Sequence, residues 1–282
     1  MNLTSVQTLY RHSSEHVRGE FAGNLDEATR HYGRYVRFVL AHVATPSGRT
    51  LDVGCGNGWS TFLLRQEGLD AWGTDLHARP LEARQIDPSI PYVSADVQRL
   101  PFDHASFEAV AMYQVLEHVP DSRRALKECI RVLKPGGRLI IVGPHLLSIG
   151  LALRYVLQES LRAFKNKGRW TRRGPDTPVH PFGNTLPETY WYLMHHSRRT
   201  LRKLVGENPV VFLQRQPDPR PPFHADNDAC YFCNPMDSIA WARQTDSVKP
   251  VRWWATDRLG SRFSWPFSGG TWVVLEKARS GR

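Results

Sequence analysis

The chain has 282 residues, 41% hydrophobic and 23% charged, enough apolar material to bury a full core in one globular α/β domain with additions. Four cysteines at this length exclude a disulfide framework, and the least charged stretch, 139–153, is too short to span a bilayer and is broken by Gly143-Pro144. The formal net charge is +10, yet residues 1–144 carry 16 basic and 16 acidic side chains, so the whole excess lies in residues 145–282.

The early residues are polar, with Arg11, His12 and Glu15, and no secretory signal is expected; the expected location is the cytoplasm. Residues 26–43 have helical periodicity through Tyr32, Tyr35, Phe38, Val39 and His42. The stretch 50–60 then reads Thr-Leu-Asp-Val-Gly-Cys-Gly-Asn-Gly-Trp-Ser: a short apolar run carrying an acid, three glycines at every second position, and a helix-compatible continuation. This is a strand ending in a glycine turn, the ligand loop of a doubly wound α/β domain. A Cβ at Gly54, Gly56 or Gly58 would occupy space that a sharply bent backbone and a close ligand require. The spacing G-x-G-x-G departs from the G-x-G-x-x-G of dinucleotide sites, and Asp52, two residues before the first glycine, suits a cationic ligand better than a pyrophosphate.

A second strand, 71–75, ends in Asp75, 21 positions after Gly54, close to the offset at which a carboxylate accepts from ribose hydroxyls in nucleotide-binding βαβ units. A third, 92–97, carries Asp96 a further 21 positions on, in reach of an adenine amino group. Residues 107–113 form a short apolar fourth strand, and 121–133 have helical spacing at Ala125, Cys129, Ile130 and Leu133. Lys134-Pro-Gly-Gly137 stops that helix, and 138–142 form a fifth strand.

Taken together, Leu51-Asp-Val-Gly-Cys-Gly-Asn-Gly58, Gly73-Thr-Asp75, Ala95-Asp96 with Leu100-Pro-Phe102, Gln114-Val-Leu-Glu-His118 and Val132-Leu-Lys-Pro-Gly-Gly137 resemble a class I S-adenosylmethionine-dependent methyltransferase of the small-molecule type. The resemblance covers about residues 48–144 in the family's order and spacing, with Phe107-Glu108 standing where members commonly have Phe-Asp. It implies a Rossmann-like, doubly wound, seven-stranded, mostly parallel sheet with a helical insertion after strand 5, and S-adenosylmethionine as cofactor. It further implies that Gly54, Gly56 and Gly58 cradle the methionine part and that Asp75 binds the ribose. Leu76 packs on adenine, Asp96 and Val97 meet the adenine edge, and Gln114 lies beside the methyl-transfer region. Asp52 holds either the loop or the ligand's ammonium. An N-terminal helix covers the cofactor in this family, so Tyr32 or Arg34 is placed at the methionine carboxylate, with Arg30 and Arg37 serving equally.

Beyond Pro144 the family signal fades and charge takes over. Residues 145–205 hold 11 basic side chains against three acidic ones, which reads either as a solvated helix face or as a surface for an anionic acceptor, a nucleotide, a diphosphate-linked lipid or a membrane. Apolar residues of 146–164 recur at helical intervals, and a second basic helix is expected over 186–205, the two forming a lid. Helical pattern resumes at 235–243. Residues 248–254 and 271–276 are the expected antiparallel edge, with 209–213 an alternative sixth strand. The expected organisation is thus a cap (1–48), a cofactor-binding core (49–144), a basic insertion (145–234) and a completing segment (235–282).

Cys230-Tyr-Phe-Cys233 has metal-ligand spacing but no second pair, so half-buried thiols are expected and no metal. A sulfonium-bound methyl is already activated, so the protein must mainly align the acceptor, and a general base is needed only for a hydroxyl. His118, just after the fourth strand, and then His145, after the fifth, are the candidate bases; a role for His118 in tying down its turn weighs somewhat more. The leading expectation is O-methylation of a glycan precursor or other polar metabolite. Alternatives are C-methylation of a quinone-like lipid, RNA methylation and a non-catalytic scaffold, with peripheral membrane contact compatible with the lipid reading. No RNA-binding motif accompanies the basic charge, which argues against nucleic acid.

Overall fold

The computed structural model describes residues 24–45, 47–76, 87–144, 212, 229–231, 234–253 and 270–279. Helix α1 (Leu25–His42) starts where the Asn24 side chain accepts from the Glu27 amide at 3.0 Å, and its buried stripe of Ala28, Tyr32, Tyr35, Val36, Val39 and His42 repeats every three to four residues. Strand β1 (Arg49–Val53), helix α2 (Trp59–Gln66), β2 (Asp70–Asp75), β3 (Tyr92–Ser94) and β4 (Phe107–Tyr113) follow. A 3₁₀ turn (Leu116–His118) leads into α3 (Ser122–Val132), capped by Asp121, and then β5 (Leu133–Pro144). Helix α4 (Pro235–Arg243), β6 (Val248–Trp253) and β7 (Gly270–Lys277) complete the described elements.

The strands form one seven-stranded sheet in the order β3-β2-β1-β4-β5-β7-β6. The first five are mutually parallel, and β7 runs antiparallel to both β5 and β6. The expected doubly wound, mostly parallel architecture is therefore present, including its antiparallel edge. In such a sheet, ligands lie outside the carboxyl ends of the strands where the order reverses, here between β1 and β4.

Strand periodicity divides the core into two layers. Leu51 and Val53, Val110 and Met112, Leu139 and Ile141, and Val273 and Leu275 join α3 and α4 on one face. Ala109 and Ala111, Ile140, Val142 and Val274 join α1 and α2 on the other. Phe107 breaks the alternation of β4 because the β4–β5 register shifts: Phe107 pairs with Leu133, but Ala109 pairs with Arg138. The intervening Lys134-Pro-Gly-Gly137, with Gly136 at φ +80°, is an excursion within β5, so this strand starts at Leu133 rather than at residue 138. Strand β3 is shorter than the sequence suggests and ends at Ser94.

His145, the lid expected over 146–205 and Cys233 lie outside the described residues. So does the alternative strand 209–213 apart from Phe212, which is buried in the α3 and α4 layer. Among the described residues, no helix is long and apolar enough to cross a membrane.

Candidate cofactor site

Between β1 and α2 the chain turns through three left-handed glycines, Gly54 at φ +68°, Gly56 at +53° and Gly58 at +88°. The bend is anchored to the neighbouring strand, since the Thr74 carbonyl accepts from the amides of both Gly54 (2.7 Å) and Cys55 (3.1 Å). A Cβ on Gly54 would lie 2.3 Å from Cγ2 of Val115, in the segment after β4. At this position, then, glycine also clears the protein's own packing, in addition to the sharp bend and close ligand that the sequence implies. The Gly56 amide donates to Oδ2 of Asp75 at 2.9 Å. The glycine turn and the acid at the tip of β2 thus sit within one hydrogen bond of each other.

Asp52 behaves differently. Alternation along β1 turns it toward the α1 and α2 layer, opposite to Leu51 and Val53, and it is buried. There Oδ1 accepts from the Tyr35 hydroxyl (2.7 Å), and Oδ2 accepts from Ser60 Oγ (2.6 Å) and Thr61 Oγ1 (2.7 Å). Of the two roles left open by the sequence, bracing the loop is the one this geometry performs: a single carboxylate ties the cap helix to the first turn of α2. Burial pushes its pKa up, and the three hydroxyl donors oppose that shift.

Asp96 follows β3 in a tight turn, where Oδ1 accepts from the Gln98 amide at 2.8 Å and the Gln98 side-chain amide reaches both oxygens. Its carboxylate shapes the loop at the third strand tip. Leu76 is half-buried directly after Asp75, whereas Val97, expected at the adenine edge, packs into the α3 and α4 layer. At the tip of β4, Gln114 is exposed and holds φ +53°, a conformation that costs a non-glycine residue about 1–2 kcal/mol. Its amide donates to the Val142 carbonyl at 2.7 Å, which fixes the strained backbone to β5.

His118 ends the 3₁₀ turn, half-buried, with Nε2 3.9 Å from Oε1 of the fully buried Glu117. The Glu117 carbonyl accepts from the amides of Cys230 (2.7 Å) and Tyr231 (3.0 Å), so this turn is also where a C-terminal segment docks. Tyr32 is buried beside Tyr113, while Arg30 turns back to its own helix at the Asp26 carbonyl and Arg34 lies 6.0 Å over the Trp272 ring. Sequence reasoning missed Ser60, Thr61 and Tyr35 as the partners of Asp52, and it missed Tyr113. The helical stripe of α1 already contained Tyr35, but nothing local marks a long-range hydroxyl partner. Cys230 is buried, and among the described residues no cluster of three or more His, Cys, Asp or Glu side chains is arranged to hold a metal ion.

Residues 51–141 match the family model described as a methyltransferase domain. These residues form a class I S-adenosylmethionine-dependent methyltransferase domain. A demethylmenaquinone methyltransferase of Renibacterium salmoninarum is 37% identical over 110 residues, 38% of this chain and 46% of its own length. A ubiquinone biosynthesis O-methyltransferase of Coxiella burnetii is 30% identical over 109 residues, 37% of this chain and 47% of its own. The chain therefore spans about half the length of these relatives. The fold of the methyltransferase domain recurs in an S-adenosylmethionine-dependent methyltransferase from Mesorhizobium loti, with a TM-score of 0.54 at 18% identity over 90% of this chain and 100% of that one. It recurs too in the magnesium protoporphyrin IX methyltransferase of Synechocystis PCC 6803 with bound SAH, with a TM-score of 0.53 at 13% identity over 98% and 100%.

The residues of this candidate site fit the chemistry of S-adenosylmethionine. The turn bends through three alternate glycines at positive φ, and the carboxylate beside it is of the type that accepts from a vicinal diol. Among the described residues, the buried acid behind the turn is Asp52, whose oxygens accept from Tyr35, Ser60 and Thr61.

Proposed function

We propose that this protein transfers a methyl group from S-adenosylmethionine to a small-molecule acceptor, and that the acceptor atom is a hydroxyl oxygen of a polar metabolite or glycan precursor. The observation that carries the reading is the 2.9 Å hydrogen bond between the Gly56 amide and Asp75, which joins the glycine turn and the second strand's acid at adjacent strand tips. In this reading Gly54, Gly56 and Gly58 hold the methionine part, Asp75 takes the ribose hydroxyls, Leu76 and the loop of Asp96 and Val97 flank the adenine, and Gln114 faces the reacting end. The cofactor supplies an electrophilic methyl on a sulfonium. The chain's own residues bind, orient and exclude water, with His118 the candidate to take a proton from a hydroxyl acceptor.

A second reading, C-methylation of a quinone-like lipid, is favoured by the similarity to a demethylmenaquinone methyltransferase and a ubiquinone biosynthesis O-methyltransferase. Incubation with S-adenosylmethionine labelled in its methyl group and with fractionated cell extract separates these readings. Label in an aqueous small molecule supports the first, and label in the organic-soluble lipid fraction supports the second. Label confined to RNA, or no transfer by a protein that binds the cofactor, overturns both. With an acceptor in hand, His118→Ala should leave cofactor binding intact and slow transfer; unchanged turnover at every pH removes His118 from the chemistry.

A further inference from the structure

Four rings from α1 and β4 gather at the carboxyl end of the sheet, beside the crevice between β1 and β4. Tyr113, the last residue of β4, stands edge-to-face with Tyr32 (centroids 5.6 Å, planes at 72°) and with His31 (5.6 Å, 82°), and tilts against Tyr35 at 5.2 Å. His31 and Tyr32 are themselves edge-to-face at 4.6 Å. Such contacts fix ring orientation before any ligand arrives. Tyr35 is committed to Asp52 through its hydroxyl, and Arg34, a cation on the same helix, lies over Trp272. Tyr113 directly precedes the strained Gln114, so the ring sits at the strand tip where the sheet order reverses. Burial holds the Tyr32 phenol protonated, with the nearby charges of Asp52 and Asp75 adding to that effect, while Tyr113 is held protonated by burial against the opposing charge of Arg34.

We propose that Tyr32 and Tyr113, backed by His31, form an aromatic wall that favours the positively charged sulfonium of the methyl donor over the neutral thioether left after transfer. A cation is drawn to aromatic faces and to nearby carboxylates, and the thioether product loses both attractions. The wall thereby sets which form of the cofactor the cradle retains and speeds exchange after each turnover. This inference rests on the reading that the glycine turn and Asp75 hold the donor.

The test is titration calorimetry of the full chain with three probes: S-adenosylmethionine, S-adenosylhomocysteine, and sinefungin, in which a protonated amine replaces the S–CH3 group. For Tyr113→Leu, affinity for S-adenosylmethionine and sinefungin is expected to fall roughly 5- to 30-fold while S-adenosylhomocysteine changes less than about twofold, and Tyr113→Phe should keep the wild-type ratio. Equal losses for all three probes would reduce the ring to packing and overturn the inference. A wild-type protein that binds none of them overturns the donor-site reading itself. His31→Ala, at an exposed position, carries the same readout in a weaker form should the leucine variant fail to fold.

Discussion

The two faces of the sheet are built from the same strands yet differ in kind. On the face covered by α3 and α4, β1, β4 and β5 present Leu51, Val53, Met112, Leu139 and Ile141; burial pushes the Cys129 thiol of α3 up to about 12, and a buried carboxylate of that layer, Asp237, comes from α4 and accepts from the Tyr231 hydroxyl. On the face covered by α1 and α2, the alternate positions of those strands are Asp52, the small Ala109 and Ala111, and Tyr113. Small residues on β4 let the cap helix approach closely enough for Tyr35 to reach a buried carboxylate. The strands give the first face only apolar side chains at these positions, and the second the Asp52 carboxylate, held beneath the strand tips beside the glycine turn.

Paired substitutions test this division, beginning with the largest effects. Leu126→Ala, in the apolar layer, should cost about 2–5 kcal/mol of stability by leaving a cavity, while the cofactor affinity of the folded fraction stays at the wild-type value. Asp52→Ala should cost roughly 2–4 kcal/mol because three buried hydroxyls lose their acceptor, and it should also weaken cofactor binding because the loop loses its brace. Urea unfolding together with calorimetry reads both quantities. If Asp52→Ala lowers stability and spares affinity, the polar face is structural and the contrast fails.

Asp75→Ala should do the opposite of Leu126→Ala. Losing charge-assisted hydrogen bonds to the ribose is expected to cost about 1.5–3 kcal/mol each in cofactor affinity, while stability changes by about 1 kcal/mol through the lost Gly56 contact. Affinity at the wild-type level would show that Asp75 serves only the turn.

The difference between the faces also explains what could be read without coordinates. The glycine turn, the acids ending β2 and following β3, and the two antiparallel strands are local patterns of strand period, turn chemistry and spacing, so they were legible. The role of Asp52 was not, because its partners Tyr35, Ser60 and Thr61 come from two different helices, and an acid in a strand carries no mark of its acceptor load. Val97 points into the core because β3 ends early and the following turn is set by Asp96 and Gln98, a side-chain choice that alternation alone does not reveal. Lys134–Gly137 does follow the end of α3 at Val132, but its place inside β5 was not legible because proline and glycine read as a break in either setting.

The smallest predicted effect concerns the rim of the polar face and is a matter of pH. His42, at the end of α1, donates from Nδ1 to the Phe38 carbonyl at 2.7 Å, and its Nε2 accepts from Arg252 of β6 at 3.1 Å, so the ring is neutral. Burial lowers its pKa, and the facing charges of Arg252 and Arg138 lower it further, against the Phe38 hydrogen bond. A histidine whose folded pKa lies below its unfolded value binds fewer protons when folded, so its contribution to stability is present above about pH 6.5 and is lost as pH falls through the folded pKa. His31, also lowered by burial, acts in the same direction. Urea midpoints should therefore drop from pH 7 to pH 5. His42→Gln should lose about 1 kcal/mol at pH 7 with the Arg252 contact and show a shallower pH dependence than wild type. Glu128 and Glu276, both held below the usual carboxylate range, lose their contribution only at lower pH, below about 4.5, which keeps the histidine window separate. A His42→Gln profile parallel to wild type between pH 7 and pH 5 would mean that the cap helix is held by its buried stripe and the Asp52 brace, with no contribution from its charged end.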